Sequence, residues 1–233
     1  MTTDGLYYAA TRALGWRLDE TPDPRNAGYP ISALLLPTLE PRSFEWPCYV
    51  RLDQGPDGAC VGFAFAGELA AEPVVVPNID YADGMRIYKE AQRIDEWLGE
   101  NYEGTSVLAG AKVVQSEGFM DEYRWANSLN DIVLTVGHLG PVVLGIPWYD
   151  SMFAPDAQGN ITVSGQVVGG HAFILRGVDI TAQKFKMQNS WGTGWGIDSG
   201  CAYLRFNDVQ RLVFGEQGTA CVPVKRSGGV EPV

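Results

Sequence analysis

The chain has 233 residues, 45% of them hydrophobic and 19% charged, a composition that can bury a full core at the upper end of single-domain size. A formal charge of −11 with no Lys/Arg cluster argues against a nucleic-acid surface, since phosphates are repelled by an acidic protein. No apolar run reaches the roughly 18–20 residues needed to cross a bilayer, and Met1-Thr2-Thr3-Asp4-Gly5-Leu6 lacks the basic start of a secretory signal, so a soluble protein is expected.

Residues 1–47 carry Pro22, Pro24, Pro30, Pro37, Pro41 and Pro47. Proline fixes its own φ and drives the preceding residue toward extended geometry, which predicts an extended N-terminal arm wrapped on a globular body. A turn follows at Asp53-Gln54-Gly55-Pro56-Asp57-Gly58, then the small apolar run Ala59-Cys60-Val61-Gly62-Phe63-Ala64-Phe65-Ala66, which reads as a buried helix ending near Pro73. Tyr81, Met85, Tyr88, Ala91, Trp97 and Leu98 predict a second, amphipathic helix. A third is capped at Thr105-Ser106 and closes at Gly118.

Beyond this point the pattern changes. Residues 141–146, 172–175, 185–188 and 202–206 read as strands separated by glycine-rich turns. Helices first and antiparallel strands second imply an α+β protein of two lobes, and clefts form between lobes.

Four cysteines, Cys48, Cys60, Cys201 and Cys221, are widely spaced, and two histidines complete a poor zinc set. They do not make a disulfide scaffold. Cys48, Cys201 and Cys221 fall in the arm, in a strand and in the C-terminal tail, each a small buried residue in this reading. Cys60 begins the first body helix, where unpaired N–H groups favour a thiolate. A base for it is His138, in a loop leading into a strand, or His171, at a strand start behind Gly169-Gly170. Asn189, followed by Trp191, has the chemistry to accept from an imidazole and fix its tautomer, with the indole shielding that bond.

Gln54-Gly55-Pro56-Asp57-Gly58-Ala59-Cys60 resembles the nucleophile motif of the papain and cathepsin cysteine peptidases, and Gly169-Gly170-His171-Ala172 resembles their histidine motif. Asn189-Ser190-Trp191-Gly192-Thr193-Gly194-Trp195-Gly196 is close to identical with their asparagine motif. The resemblance spans roughly residues 45 to 210 in the family order. It implies a papain-like fold: a helical lobe over about 48–130 and an antiparallel, barrel-like lobe over about 131–225 of a peptidase domain 48–233. It further implies catalysis by Cys60, His171 and Asn189, with Gln54 as oxyanion donor. Gly104 and Thr105 would line the acyl side of the substrate, and Gly170 and Trp191 would complete the cleft. The implied partner is a peptide or protein, with no cofactor.

Two departures stand out. Asp57 replaces the family's disulfide cysteine, placing a negative charge near the thiol, and Val61 replaces a tryptophan. Cys60 and His171 are also closer in sequence than the roughly 130–150 residues common among papain relatives. Bacterial and bacteriophage members share such short loops, and loss of the disulfide cysteine fits a reduced compartment, so a cytoplasmic or virion-associated protein is expected. Two alternatives keep the same residues: a weakly active or inactive papain-fold binding or assembly protein, for example of a phage particle, and an amidase or transpeptidase acting on cell-wall peptides.

Overall fold

The computed structural model describes residues 3–20, 26 and 28–226. It opens with helix α1 (Thr3–Thr11), followed by a 3-10 turn at Ile31–Ala33 and the short strand β1 (Phe44–Glu45). The extended arm expected over 1–47 is therefore corrected at its start. The first proline is Pro22, and the Leu6-Tyr7-Tyr8-Ala9-Ala10 stretch before it contains no helix breaker. The proline-rich run at 21–25 lies outside the described residues.

Helix α2 (Cys60–Leu69) is buried along its whole length, as its Ala/Gly/Phe composition requires. Helix α3 (Tyr81–Ile94) packs on it closely enough that a Cβ on Gly62 would stand 2.2 Å from the Gly84 carbonyl oxygen. Asp80 and Asp83 form a capping box at the start of α3. Trp97 and Leu98 fall beyond its end. Helix α4 (Val107–Ser116) is capped by the Ser106 side chain, which accepts from the Ala109 N–H.

Strand β2 (Met120–Trp125) and helix α5 (Leu129–His138) come next. Ser128 and Asp131 form the capping box of α5, a signal present in the sequence. His138 closes this helix instead of lying in a loop, and its Nε2 bonds to the Glu40 carbonyl. The remaining elements are β3 (Val142–Tyr149), a 3-10 turn at Asp150–Phe153, β4 (Val167–Asp179), β5 (Lys184–Gln188), β6 (Cys201–Arg205), the single turn α6 (Phe206–Val209) continued by a π-helical turn at Gln210–Gly215, and β7 (Thr219–Arg226). The strands form one antiparallel sheet in the order β2-β7-β3-β4-β5-β6, with β1 on β4. Cys221, expected in a tail, is thus fully buried inside the sheet.

Alternation along these strands builds two cores. Val142, Leu144, Ile146 and Trp148 of β3, with Phe173 and Leu175 of β4, face one apolar cluster. Val143, Ala172, Ile174 and Cys221 face the other, which they share with α2 and α4. A buried ion pair ties the lobes: Arg226 at the end of β7 reaches Glu68 of α2 at 2.7 Å and donates to three backbone carbonyls around it. No helix among the described residues is long and apolar enough to cross a membrane.

Candidate active site

Cys60 is the first residue of α2, directly behind the Gly55–Gly58 turn. His171 lies on β4, opposite Ile146 of β3. Ala172, next along β4, faces the helical lobe and donates its N–H to Cys60 Sγ at 3.3 Å. One strand thus carries the histidine and touches the thiol, which joins two residues far apart in sequence.

Asn189 follows β5. Its Oδ1 accepts the Ser190 N–H at 2.8 Å and lies 2.7 Å from His171 Nε2. An oxygen that already accepts one N–H is an acceptor, so Nε2 carries the ring proton and Nδ1 is the basic nitrogen. Nδ1 is buried and has no hydrogen-bond partner among the described residues. Trp191 lies over the imidazole with ring centroids 4.7 Å apart, and Trp148 meets it edge-on at 4.8 Å. These two indoles exclude water from the His171–Asn189 bond.

Gln54 is held from both sides. Its backbone N–H donates to the Ser190 carbonyl and its Oε1 accepts the Ser190 hydroxyl at 2.7 Å, which turns Nε2 toward the cleft. Ser190 is thus a supporting residue that sequence reasoning passed over, although it sits inside the asparagine motif. The Asp57 backbone carbonyl accepts from Gln54 Nε2 at 2.8 Å, and its carboxylate accepts from the Tyr81 hydroxyl.

The cleft is filled by the chain's own arm. Tyr8 of α1 stacks on Trp191 at 6.0 Å. The Ala13 carbonyl accepts from Gln54 Nε2 at 3.1 Å. Trp16 N–H donates to the Gly170 carbonyl at 3.0 Å, Thr105 N–H donates to the Gly15 carbonyl at 2.9 Å, and Arg17 N–H donates to the Thr105 carbonyl. Gly104, at φ 88°, comes so close to the arm that a Cβ there would stand 2.7 Å from the Gly15 oxygen. All eight residues singled out in the sequence therefore gather along one cleft, and the arm reaches six of them: Gln54, Cys60, Gly104, Thr105, Gly170 and Trp191.

This cover sets the electrostatics. Burial pushes the Cys60 thiol up to about 11, opposed in part by the N–H groups of Ala172, Gly15, Val61 and Trp16 around the sulfur. Burial likewise holds His171 down to about 4, against the hydrogen bond to Asn189. Burial thus favours the neutral thiol and the neutral imidazole.

Solved structures share this architecture. Xylellain, a cysteine protease from Xylella fastidiosa, matches over 93% of this chain and 97% of its own, at 17% identity and a TM-score of 0.65. Digestive procathepsin L 3 of Tenebrio molitor matches over 96% and 79%, at 16% identity and a TM-score of 0.60. The bromelain protease of Ananas comosus, solved with the E64 inhibitor, matches over 80% and 100%, at 14% identity and a TM-score of 0.60. The fold is papain-like. No protein-family model and no curated protein sequence matches the chain. Within the papain-like fold, Cys60 occupies a helix start on the helical lobe and His171 a strand of the sheet lobe, as the sequence motifs imply.

Proposed function

We propose that this protein is a cysteine peptidase whose N-terminal arm keeps it latent. The observation that carries the reading is the ordered chain of contacts Ser190–Asn189–His171, with Ala172 on the Cys60 sulfur and a bare Nδ1 left on the buried ring. Once the arm withdraws, water re-enters, the thiol pKa falls and that of the imidazole rises, so a thiolate–imidazolium pair forms. The thiolate attacks a peptide carbonyl, and the Cys60 N–H and Gln54 Nε2 hold the oxyanion. His171 protonates the leaving amine, and water activated by the same ring releases the acyl group from sulfur. Asn189 keeps the ring in place throughout.

The arm is suited to block this reaction rather than undergo it. It runs from Trp191 toward Thr105 and pairs with Thr105 in parallel. The family resemblance places the acyl side of a substrate along Thr105, so the arm lies reversed relative to such a substrate.

The deciding experiment compares full-length Trp16→Ala, which loosens the arm, with the same chain also carrying Cys60→Ala. The first should hydrolyse a peptide library and the second should not, with both retaining a cooperative melt. Equal turnover by the two chains would remove Cys60 from the mechanism. A loosened chain that labels at Cys60 with iodoacetamide and cleaves nothing would favour a binding role.

A further inference from the structure

The stretch from Tyr102 to Thr105, which forms the edge of the cleft that pairs with the arm, is held from behind by one face of α3. Tyr88, Gln92 and Asp95 are spaced i, i+4 and i+7, so they line one side of that helix and its C-cap. The Tyr88 hydroxyl accepts the Gly104 N–H at 3.0 Å. Gln92, only 1% exposed, donates from Nε2 to the Tyr102 carbonyl at 2.7 Å and to the Gly104 carbonyl at 3.4 Å.

Asp95 holds both ends of the stretch. Its Oδ1 accepts the Tyr102 hydroxyl at 2.6 Å, and its Oδ2 accepts the Thr105 hydroxyl at 2.6 Å. A carboxylate can only accept, so each hydroxyl has one sense of donation and one orientation. With its side chain turned back to Asp95, the fully buried Thr105 presents its N–H to the Gly15 carbonyl and its own carbonyl to the Arg17 N–H. All four cysteines are free, so no disulfide fixes this edge.

We propose that Asp95 is a positioning residue for peptide binding: through the Thr105 hydroxyl it sets where the Thr105 N–H and carbonyl meet an extended backbone. This role rests on the reading of the cleft as a thiol peptidase site, in which a substrate takes the place of the arm along Thr105. Asp95 touches neither the thiol nor the arm backbone at Thr105. Without it, a buried hydroxyl is left with no acceptor and turns to find one, and the pairing groups move with it. Because the arm is itself a peptide seated on Thr105, losing Asp95 should loosen the arm and also weaken any peptide that replaces it.

The test uses the full-length chain and full-length Trp16→Ala, each with and without Asp95→Ala. Cys60 labelling is timed by intact mass with two reagents: iodoacetamide, which reaches only the sulfur, and acetyl-Ala-Ala-Gly chloromethyl ketone, whose backbone runs along Thr105. In the Trp16→Ala chain, Asp95→Ala should slow the peptidyl reagent by about ten- to a hundredfold, the scale set by an ångström of misplacement. Its iodoacetamide rate should not change. In the chain with Trp16 intact, the same substitution should instead raise iodoacetamide labelling. Thr105→Val keeps the branched shape without the hydroxyl, and in that background Asp95→Ala should add little further loss. Asp95→Asn, which keeps one acceptor oxygen, should fall between the two and serves if the alanine variant melts early.

A peptidyl rate indifferent to Asp95, equal loss of both reagents, or a full loss that persists in Thr105→Val would overturn the role. If the expected pattern appears but no peptide is cleaved, the hydrolase reading fails and the positioning role stands. Labelling by iodoacetamide with none by the peptidyl reagent in any chain, or no labelling by either, would overturn both.

Discussion

Gln54 Nε2 donates to the carbonyl oxygen of Ala13 at 3.1 Å, so the group suited to hold a developing oxyanion already holds a neutral carbonyl of the same chain. The arm reaches that position because Tyr8 is stacked on Trp191 on one side and Trp16 is seated between glycines on the other. The arm is therefore anchored on both sides of that contact.

Loosening the arm should expose the thiol. Trp16→Ala removes a large buried arm side chain, a change of about 3–5 kcal/mol for a buried tryptophan. Iodoacetamide labelling of Cys60 should rise by about tenfold or more over the intact chain. Mass spectrometry after timed quenching measures this, and an unchanged rate would mean that the arm is held elsewhere.

Gln54→Ala, made in the loosened chain, should lower peptide turnover by about 10²-fold, the usual loss of one oxyanion donor. Labelling of Cys60 by iodoacetamide involves no oxyanion and should persist. Equal loss of both would show that Gln54 acts instead through Ser190, by holding the two loops together.

Arm docking should respond to pH through two opposing groups. His171 is held at about 4 under the arm against an ordinary 6.5, so the covered state binds fewer protons, and docking weakens as pH falls from 6.5 toward 4. Glu20 is pushed up to about 7 from 4.5, first by burial and further by Glu96, against its hydrogen bond to Trp16 and the nearby N–H groups of Val107 and Leu108. Its docking contribution therefore weakens as pH rises from 4.5 to 7. The two trends offset each other in the intact chain. Glu20→Gln removes the second and should leave a chain that opens on acidification, with arm release read by tryptophan fluorescence. A flat response in that variant would exclude His171 as the sensor.

All four cysteines are free and buried in the fold. Cys201 on β6 and Cys221 on β7 are separated in the sheet by β5, β4 and β3, too far for a disulfide. Non-reduced protein should therefore carry four thiols. A reducing agent should leave the melting temperature unmoved, whereas loss of a native disulfide costs about 2–5 kcal/mol. A Cys201–Cys221 bridge found by peptide mapping would contradict the strand order itself.

Arg226→Ala should destabilise the protein by about 3–5 kcal/mol, because it leaves the Glu68 carboxylate buried without its partner. Burial already pushes the Glu68 carboxyl up, against the pull of Arg226. Chemical denaturation of the two chains measures the difference. Replacing both residues with apolar ones of similar volume should recover much of the loss.

The sequence by itself determined the helices that begin near Cys60, Tyr81 and Val107 and most of the strands of the second half. Cys60 at a helix start, the capped helix α4 and the alternating strands are local patterns, set by turn residues, caps and periodicity within a few positions. The path of the first 20 residues was not legible in that way. α1 and the Ala13–Arg17 segment are held by partners on both lobes, Gln54, Thr105, Gly170 and Trp191, which come together only when the lobes pack. The same reason hid Gly145, one glycine among the 28 in the chain, whose missing side chain matters only because Trp16 arrives from far along the sequence. Burial of the thiol and imidazole was equally out of reach. Desolvation depends on what covers a group, and packing alone brings Gly15 and Trp16 to the thiol and Trp148 and Trp191 to the imidazole. Tertiary structure alone decided that the site is closed.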